Sequence, residues 1–143
     1  MSRPASALII DDEAHVRVLL TAILKQLGVR TIWEAEDGVS GIERVALQKP
    51  DFVLLDLNLP QMSGLEVLEK LKAANPAIPV IVVSAQSTVR TVNRVKELGA
   101  TGYVVKYSPK AELTQMISNL LDGISESPSE DVSKDGAKPP ASS

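Results

Sequence analysis

The sequence predicts an α/β fold in which a doubly wound, five-stranded parallel sheet lies between two layers of helices. Short apolar runs alternate with longer segments whose apolar residues recur every three or four positions, which is the pattern of strands followed by amphipathic helices. The runs show little alternation of polar and apolar residues, as is typical of parallel strands that are covered on both faces. The chain has 143 residues, of which 44% are hydrophobic, enough for one domain with a sizeable core.

The apolar runs place the five strands at residues 7–10, 31–33, 52–55, 80–83 and 102–105. The apolar stripes of the helices cover residues 16–27, 42–46, 65–71, 89–98 and 113–121. Gly28 and Gly99 are expected to end helices, Ser63 to cap the third helix, and Pro109 to lie in the first turn of the last. With right-handed crossovers, this alternation fits sheet order 2-1-3-4-5, a flavodoxin-like (βα)5 three-layer sandwich.

Composition limits the classes of protein and of site. The net charge of −3 gives no indication of nucleic-acid binding, and the absence of cysteine excludes disulfides, thiolate metal sites and cysteine nucleophiles. We find no signal peptide and no apolar stretch of membrane-spanning length, so we expect a cytoplasmic protein. Residues 124–143 are rich in Ser, Pro and acidic residues and are predicted to be a disordered tail after a folded domain at 1–123.

Polar residues follow four of the predicted strands. Asp11 and Asp12 come after the first strand, Asp56 after the third, Ser84 after the fourth and Lys106 after the fifth. The carboxyl ends of parallel strands meet at one edge of the sheet, and ligands bind there beside the switch point between the first and third strands. We therefore expect these side chains to form one site with Asp56 at its centre.

Three carboxylates at one edge repel one another, by about 4 kcal/mol for unit charges about 4 Å apart at an effective dielectric constant near 20. Either their pKa values rise or a cation lies among them. Hard oxygen ligands favour Mg²⁺, or Mn²⁺ in its place. With an ammonium from Lys106 and a hydroxyl from Ser84, the site suits a phosphoryl group beside a metal, either bound as a ligand or attached to an aspartate.

Simpler interpretations remain open for individual residues. Asp11 and Asp12 could cap the first helix, and Ser84 could cap the fourth. Lys106 could be a surface lysine at a strand end, and Tyr103 could serve only in packing.

The acidic pair, the lone Asp56, the Ser84 and Lys106 strand ends, and the stretch at residues 56–64 together resemble the receiver domain of two-component response regulators (CheY-like). The resemblance covers residues 6–122, and the chain as a whole resembles a stand-alone receiver. It implies that Asp56 is the phosphoacceptor. It further implies that Asp12 binds Mg²⁺ directly, that Asp11 does so mainly through water, and that the backbone carbonyl of Asn58 is a further ligand.

The resemblance also implies a switch. Ser84 and Lys106 would each bind a phosphoryl oxygen, and Tyr103 would turn inward when Ser84 moves. The family usually has proline directly after this lysine, whereas Tyr107 stands here, so we expect a trans peptide bond or a locally altered loop.

The function implied is that of a phosphoacceptor signalling protein, which takes a phosphoryl group from a sensor histidine kinase or a histidine phosphotransfer protein. Its target, which the sequence does not identify, would bind the face formed by the fourth helix, fifth strand and fifth helix; DNA and membranes are not expected partners. It would not be an enzyme beyond its own phosphoryl transfer and slow self-dephosphorylation. The alternative is an interaction module that keeps the receiver fold without phosphorylation.

Two other classes fit less well. A phosphatase of the haloacid dehalogenase kind normally has a second aspartate two residues after its nucleophile, and Asn58 at that position cannot donate a proton as a general acid. A flavodoxin-type cofactor binder would need a phosphate loop rich in small residues where this chain has three acidic residues, Asp11 to Glu13.

Overall fold

The computed structural model describes residues 4–86 and 88–124, and it confirms the predicted fold. The strands are β1 (Ser6–Ile10), β2 (Thr31–Ala35), β3 (Phe52–Leu55), β4 (Val80–Ser84) and β5 (Gly102–Val105). The helices are α1 (Ala14–Gln26), α2 (Gly38–Gln48), α3 (Gly64–Ala74), α4 (Val89–Glu97) and α5 (Lys110–Leu121). All neighbouring strands are parallel, in the order β2-β1-β3-β4-β5.

Each face of the sheet carries its own hydrophobic core. Along β1, Ala7 and Ile9 pack on the side of α1 and α5, whereas Leu8 and Ile10 pack on the opposite side with α3. Successive strand residues point to opposite faces. Because both faces are covered, both sets must be apolar, which is why the strands lack polar alternation.

The helix ends follow local chemistry. Gly28 and Gly99 have positive φ values of 99° and 93° after α1 and α4, as expected of glycine beyond a helix C-terminus. The side chains of Asp37, Ser63 and Thr88 accept hydrogen bonds from backbone N–H groups in the first turns of α2, α3 and α4. The cap predicted at Ser63 is therefore confirmed.

Three local interpretations are wrong. Thr88 rather than Ser84 caps α4, because β4 extends through Ser84. The N-cap residue of α1 is Glu13, whose side chain makes no capping hydrogen bond, so neither Asp11 nor Asp12 caps that helix. Pro109 is the N-cap residue of α5 rather than part of its first turn.

The predicted boundary at residue 123 falls one residue before the last described position. Ile124, which was assigned to the tail, is only 6% exposed and packs in the core beside α1 and α5. The rest of the predicted disordered tail, residues 125–143, lies outside the described residues. Among the helices of the described ranges, none is long and apolar enough to cross a membrane.

The start of α3 lies directly against the loop that follows β3. The backbone N–H of Gly64 donates to the carbonyl of Leu57 at 2.8 Å. A Cβ atom at Gly64 would lie 2.3 Å from the Cα of Leu57 and 2.4 Å from the backbone oxygen of Asp56. Only glycine fits here without moving the backbone that carries Asp56.

We predict that Gly64→Ala lowers the free energy of unfolding by about 1–3 kcal/mol, because the added methyl group meets backbone that cannot yield without displacing Asp56. Urea unfolding measures the change. Gly123→Ala is the matched control, since its Cβ would have only an ordinary contact at 3.6 Å. That control should change the unfolding free energy by less than about 0.5 kcal/mol, and equal effects of the two substitutions would contradict the prediction.

Candidate functional site

Parallel pairing continues one residue beyond the strands and aligns the polar residues. The backbone N–H of Asp11 donates to the carbonyl of Ala35, and that of Asp56 donates to the carbonyl of Ile10. The N–H of Lys106 likewise donates to the carbonyl of Ser84, at 2.9 Å. These hydrogen bonds hold the first residue after each strand in register, so their side chains share one edge of the sheet.

The Lys106 side chain is the centre of the observed site. Its Nζ atom lies 2.9 Å from Oδ2 of Asp56, 3.0 Å from Oδ2 of Asp11 and 3.0 Å from Oε2 of Glu13. Lys106 is 5% exposed, and Asp11 and Asp56 are each 1% exposed. Lys106 is therefore not a surface lysine, and Asp56 is not an ordinary exposed turn residue.

The electrostatics of the site reflect burial and pairing. Burial raises the pKa of Asp56, and the hydrogen bond from Lys106 offsets part of that rise. Burial also raises the pKa of Asp11, with a further contribution from the charge of Asp56. For Lys106, burial alone would lower the pKa, but hydrogen bonds to Asp56 and Glu13 and the nearby carboxylate of Asp11 hold it above its ordinary value. Lys106 therefore stays charged at neutral pH.

The acidic side chains fit a divalent metal ion. Asp11, Asp12, Glu13 and Asp56 each offer one carboxylate oxygen, and these oxygens lie within 4.8 Å of one another. Oδ2 of Asp11 is buried and makes no hydrogen bond with any described residue, although it lies close to the Lys106 ammonium. All-oxygen donors with excess negative charge suit a hard cation such as Mg²⁺. The structure thus brings together Asp11, Asp12 and Asp56, the carboxylates predicted as metal ligands.

The loop after Asp56 holds its second carboxylate oxygen and approaches the loop after β4. Oδ1 of Asp56 accepts a hydrogen bond from the backbone N–H of Asn58 at 3.1 Å. The Asn58 side-chain oxygen accepts from Nε2 of Gln86 at 3.2 Å. Asn58 is exposed and adjoins the acidic cluster, and the ligand role predicted for its backbone carbonyl stays a prediction.

Ser84 and Tyr103 lie on adjacent strands. Ser84 is fully buried, and its hydroxyl accepts a hydrogen bond from the backbone N–H of Gln86 at 3.2 Å. Tyr103 packs with the core on the α3 side. Its buried hydroxyl makes no hydrogen bond to the described residues, and burial raises its pKa. The nearby Ser84 side chain offsets part of that rise in pKa.

Two contacts of the site were not predicted from the sequence. The first is made by Arg17, whose guanidinium donates to the backbone carbonyl of Asp11 at 2.6 Å and pairs with Glu34 at 2.9 Å. This contact ties the first turn of α1 to the backbone of the acidic pair. No helical spacing signalled it, because the two partners lie 6 and 17 residues from Arg17 in the chain.

The second contact joins Glu13 to Tyr107. The Tyr107 hydroxyl lies 2.8 Å and 2.6 Å from the two carboxylate oxygens of Glu13. The peptide bond between Lys106 and Tyr107 is trans, as expected, and the loop is altered in that Tyr107 has a φ of 68°. This left-handed conformation costs a residue with a side chain of order 1–3 kcal/mol. Nothing in the sequence pattern indicated that Tyr107 would reach across to α1.

Comparison with known proteins assigns this arrangement to a family. The model of the family described as the response regulator receiver domain matches residues 7–118. The chain belongs to this family. The receiver domain is 34% identical over 114 residues to "Sporulation initiation phosphotransferase F" of Bacillus subtilis, and the match covers 80% of this chain and 91% of that relative.

A second relative is longer. The receiver domain is 40% identical over 121 residues to "Probable transcriptional regulatory protein TcrX" of Mycobacterium tuberculosis, a match that covers 83% of this chain but 50% of the relative. The chain thus spans about half the length of that regulator.

Solved structures agree with the fold. The receiver domain is similar to a chain in the "CheX-CheY-BeF3-Mg+2 complex" from Borrelia burgdorferi, with a TM-score of 0.77 and 27% identity over 82% of this chain and 90% of that chain. A two-component response regulator of the LuxR family from Aurantimonas sp. SI85-9A1 also has a TM-score of 0.77 and 27% identity, over 87% and 89% of the two chains.

We predict that Mg²⁺ stabilises the folded receiver domain, because the metal relieves repulsion among carboxylates that are together only when the chain is folded. At a Mg²⁺ concentration 100 times the Kd, the free energy of unfolding should rise by about 2.7 kcal/mol, measured by urea unfolding with and without Mg²⁺. The gain should be lost in Asp11→Asn and retained in Glu69→Gln, an exposed substitution on α3. An equal gain in both variants would contradict a site at Asp11.

The Mg²⁺ effect should also depend on pH. Because burial raises the pKa of Asp11 and Asp56 above the ordinary value of 3.8, protons compete with the metal at a higher pH than for exposed aspartates. The stabilisation by Mg²⁺ should therefore shrink as the pH falls through the raised values. Without metal, the raised pKa values of Asp11 and Asp56 add to the free energy of unfolding below about pH 3.8, where both groups are protonated. This added stability is lost as the pH rises through the raised pKa values. A Mg²⁺ effect that grew on acidification would contradict this assignment.

Proposed function

We propose that this receiver domain is a phosphoacceptor of a two-component phosphorelay and that Asp56 accepts a phosphoryl group from a phosphohistidine donor in a Mg²⁺-dependent reaction. The observation that carries the proposal is the buried pair formed by Asp56 and Lys106, 2.9 Å apart within a cluster of carboxylates. Phosphoryl transfer needs positioning and charge neutralisation more than acid–base catalysis, and this site supplies both.

The transfer exchanges one bond to phosphorus for another. A carboxylate oxygen of Asp56 attacks the phosphorus atom, the bond from phosphorus to the donor imidazole nitrogen breaks, and its electron pair remains on that nitrogen. The hydrogen bond from the backbone N–H of Asn58 to Oδ1 orients the carboxylate. Asp11, Asp12 and Asp56 would hold Mg²⁺, with the Asn58 carbonyl as a further ligand. The metal would supply positive charge to balance the phosphoryl oxygens.

Lys106 and Ser84 would bind the new phosphoryl oxygens. Lys106 already lies beside Asp56. The Ser84 hydroxyl accepts from the backbone N–H of Gln86, which leaves its own hydrogen available for the phosphoryl group, and we expect the loop after β4 to shift as that bond forms. Tyr103 lies beside Ser84, so movement of Ser84 would change the space open to the Tyr103 ring. This coupling would carry the switch from the phosphorylated edge to the surface of α4, β5 and α5.

The partners follow from this chemistry. A donor would be a sensor histidine kinase or a histidine phosphotransfer protein, and the phosphotransferase name of the Bacillus relative supports that class. The exposed cations Arg90, Arg94 and Lys96 on α4 would favour an acidic target protein at the α4-β5-α5 face. No direct DNA binding is proposed for the receiver domain, and its catalysis would be limited to its own phosphorylation and dephosphorylation. Placement in the cytoplasm stays a prediction.

Incubation with Mg²⁺ and acetyl phosphate, followed by intact mass spectrometry, tests the proposal. The wild-type protein should gain one phosphoryl group, and Asp56→Asn should gain none. Lys106→Ala should react about 10²- to 10³-fold more slowly because it lacks a donor for the developing charge. Ser84→Ala should react about tenfold more slowly, since it loses one neutral hydrogen bond.

Glu69→Gln serves as the matched control and should react like the wild type. If folded wild-type protein binds Mg²⁺ but gains no phosphoryl group from acetyl phosphate or from phosphohistidine donors, the proposal is wrong. The alternative of an unphosphorylated interaction module would then take its place.

A further inference from the structure

Carboxylate oxygens already surround the Lys106 ammonium, and two of them accept hydrogen bonds from it. A lysine ammonium has three N–H donors. In this structure three carboxylate oxygens, one each from Asp11, Glu13 and Asp56, lie 2.9–3.0 Å from Nζ. The contacts with Asp56 and Glu13 are hydrogen bonds, whereas Oδ2 of Asp11 is close to Nζ without hydrogen-bond geometry. Because three oxygens already surround Nζ, we expect a phosphoryl oxygen on Asp56 to displace one of these contacts.

Glu13 is the partner that can leave. The side chains of Asp11 and Asp56 are 2% and 1% exposed, and both are fixed by hydrogen bonds from backbone N–H groups. Glu13 is the N-cap residue of α1, and its side chain is 30% exposed, so its carboxylate can turn toward water. Its departure would also remove a negative charge from the space that the phosphoryl group must enter.

Tyr107 restrains that departure. Its hydroxyl contacts both oxygens of Glu13, and its ring centroid lies 5.4 Å from Nζ of Lys106. The residue is 62% exposed, so its ring is not held by a core. The contacts with Glu13 and Lys106 therefore account for the position of the ring. His15 adds a weaker contact to Glu13, with Nε2 at 3.3 Å from Oε1.

We propose that Glu13 and Tyr107 form a clasp that keeps Lys106 paired with carboxylates while Asp56 is unphosphorylated, and that opening of this clasp frees Lys106 for the phosphoryl group. Tyr107 is a positioning residue in this proposal, because it acts on Lys106 through Glu13. The inference rests on the proposed phosphoacceptor function and deepens it, since it names what limits access to the acceptor.

Tyr107→Phe is the direct test, because it removes the hydroxyl while it keeps the ring and every charge of the site. At saturating Mg²⁺, phosphorylation by acetyl phosphate should be about three- to tenfold faster than in the wild type, as expected for loss of one intramolecular hydrogen bond of ordinary net strength at an exposed position. The affinity for Mg²⁺ should change little. Glu69→Gln is again the control and should react at the wild-type rate.

A double-mutant cycle separates a clasp from a general structural effect. Glu13→Gln should also accelerate phosphorylation at saturating Mg²⁺. Adding Tyr107→Phe to it should have a smaller effect than in the wild type, because an amide oxygen accepts a weaker hydrogen bond from the Tyr107 hydroxyl than a carboxylate does. A second readout needs no phosphoryl donor. In metal-free protein with ¹⁵N-labelled lysine, the Lys106 ammonium resonance should shift in Tyr107→Phe and stay unchanged in Glu69→Gln.

The outcomes distinguish the two proposals. If the wild type accepts a phosphoryl group and Tyr107→Phe reacts at the same rate or more slowly, the clasp is wrong and the role of Asp56 stands. Additive effects of Glu13→Gln and Tyr107→Phe, or an unchanged Lys106 resonance, would also overturn the clasp. If the wild type accepts no phosphoryl group from any donor, the proposed function is wrong and the clasp falls with it.

Discussion

The arrangement on which the site depends is one ammonium buried among carboxylates. Removing charges from water is costly, and a buried charge whose partner is taken away commonly destabilises a protein by about 3–5 kcal/mol. Lys106 and Asp56 can therefore be buried only because each lies beside the other and because backbone N–H groups bind the remaining carboxylate oxygens. The number of carboxylates still exceeds the number of cations, which leaves the site ready for a second positive charge.

The sheet creates this arrangement. Parallel pairing places the last residue of β4 and the residues after β1, β3 and β5 at one edge, and the ladder hydrogen bonds extend to Asp11, Asp56 and Lys106 themselves. The backbone at that edge is further fixed from outside the sheet. Gly64 brings α3 against the Asp56 loop, and Arg17 binds the carbonyl of Asp11 from α1. Rigid backbone with a few movable side chains is a suitable design for a site that must be ordered and must also switch.

The movable side chains are found on the exposed rim of the site. Glu13 and Tyr107 are more exposed than the buried acids, and their contact bridges the first and last βα loops. An added phosphoryl group brings negative charge and strong hydrogen-bond acceptors, so it competes with Glu13 for the same ammonium. Binding of a metal or a phosphoryl group would therefore change the charge around Lys106, and with it the position of the loop that carries Tyr107.

Much of the fold was predictable because it rests on local and periodic signals. Apolar runs, helical stripes and Gly28 or Gly99 at helix ends depend on nearby residues, and these predictions are confirmed. Errors occurred where a tertiary or cap contact decided the outcome, as at Thr88, which caps α4 in place of Ser84. Ile124 was assigned to the tail because of its polar neighbours, although one apolar residue can still fill a place in the core.

The sequence by itself determined which strand-end residues share the site, because strand order and strand ends follow from the apolar pattern and from parallel pairing. It therefore identified Asp11, Asp56 and Lys106 and the chemistry that suits them. Only the tertiary structure decided that Lys106 donates to Glu13 as well as to Asp56, and that the Tyr107 hydroxyl contacts Glu13 beside it. The two contacts of Glu13 join residues 93 and 94 positions apart through a loop conformation that no local pattern specifies, so only the folded structure reveals them.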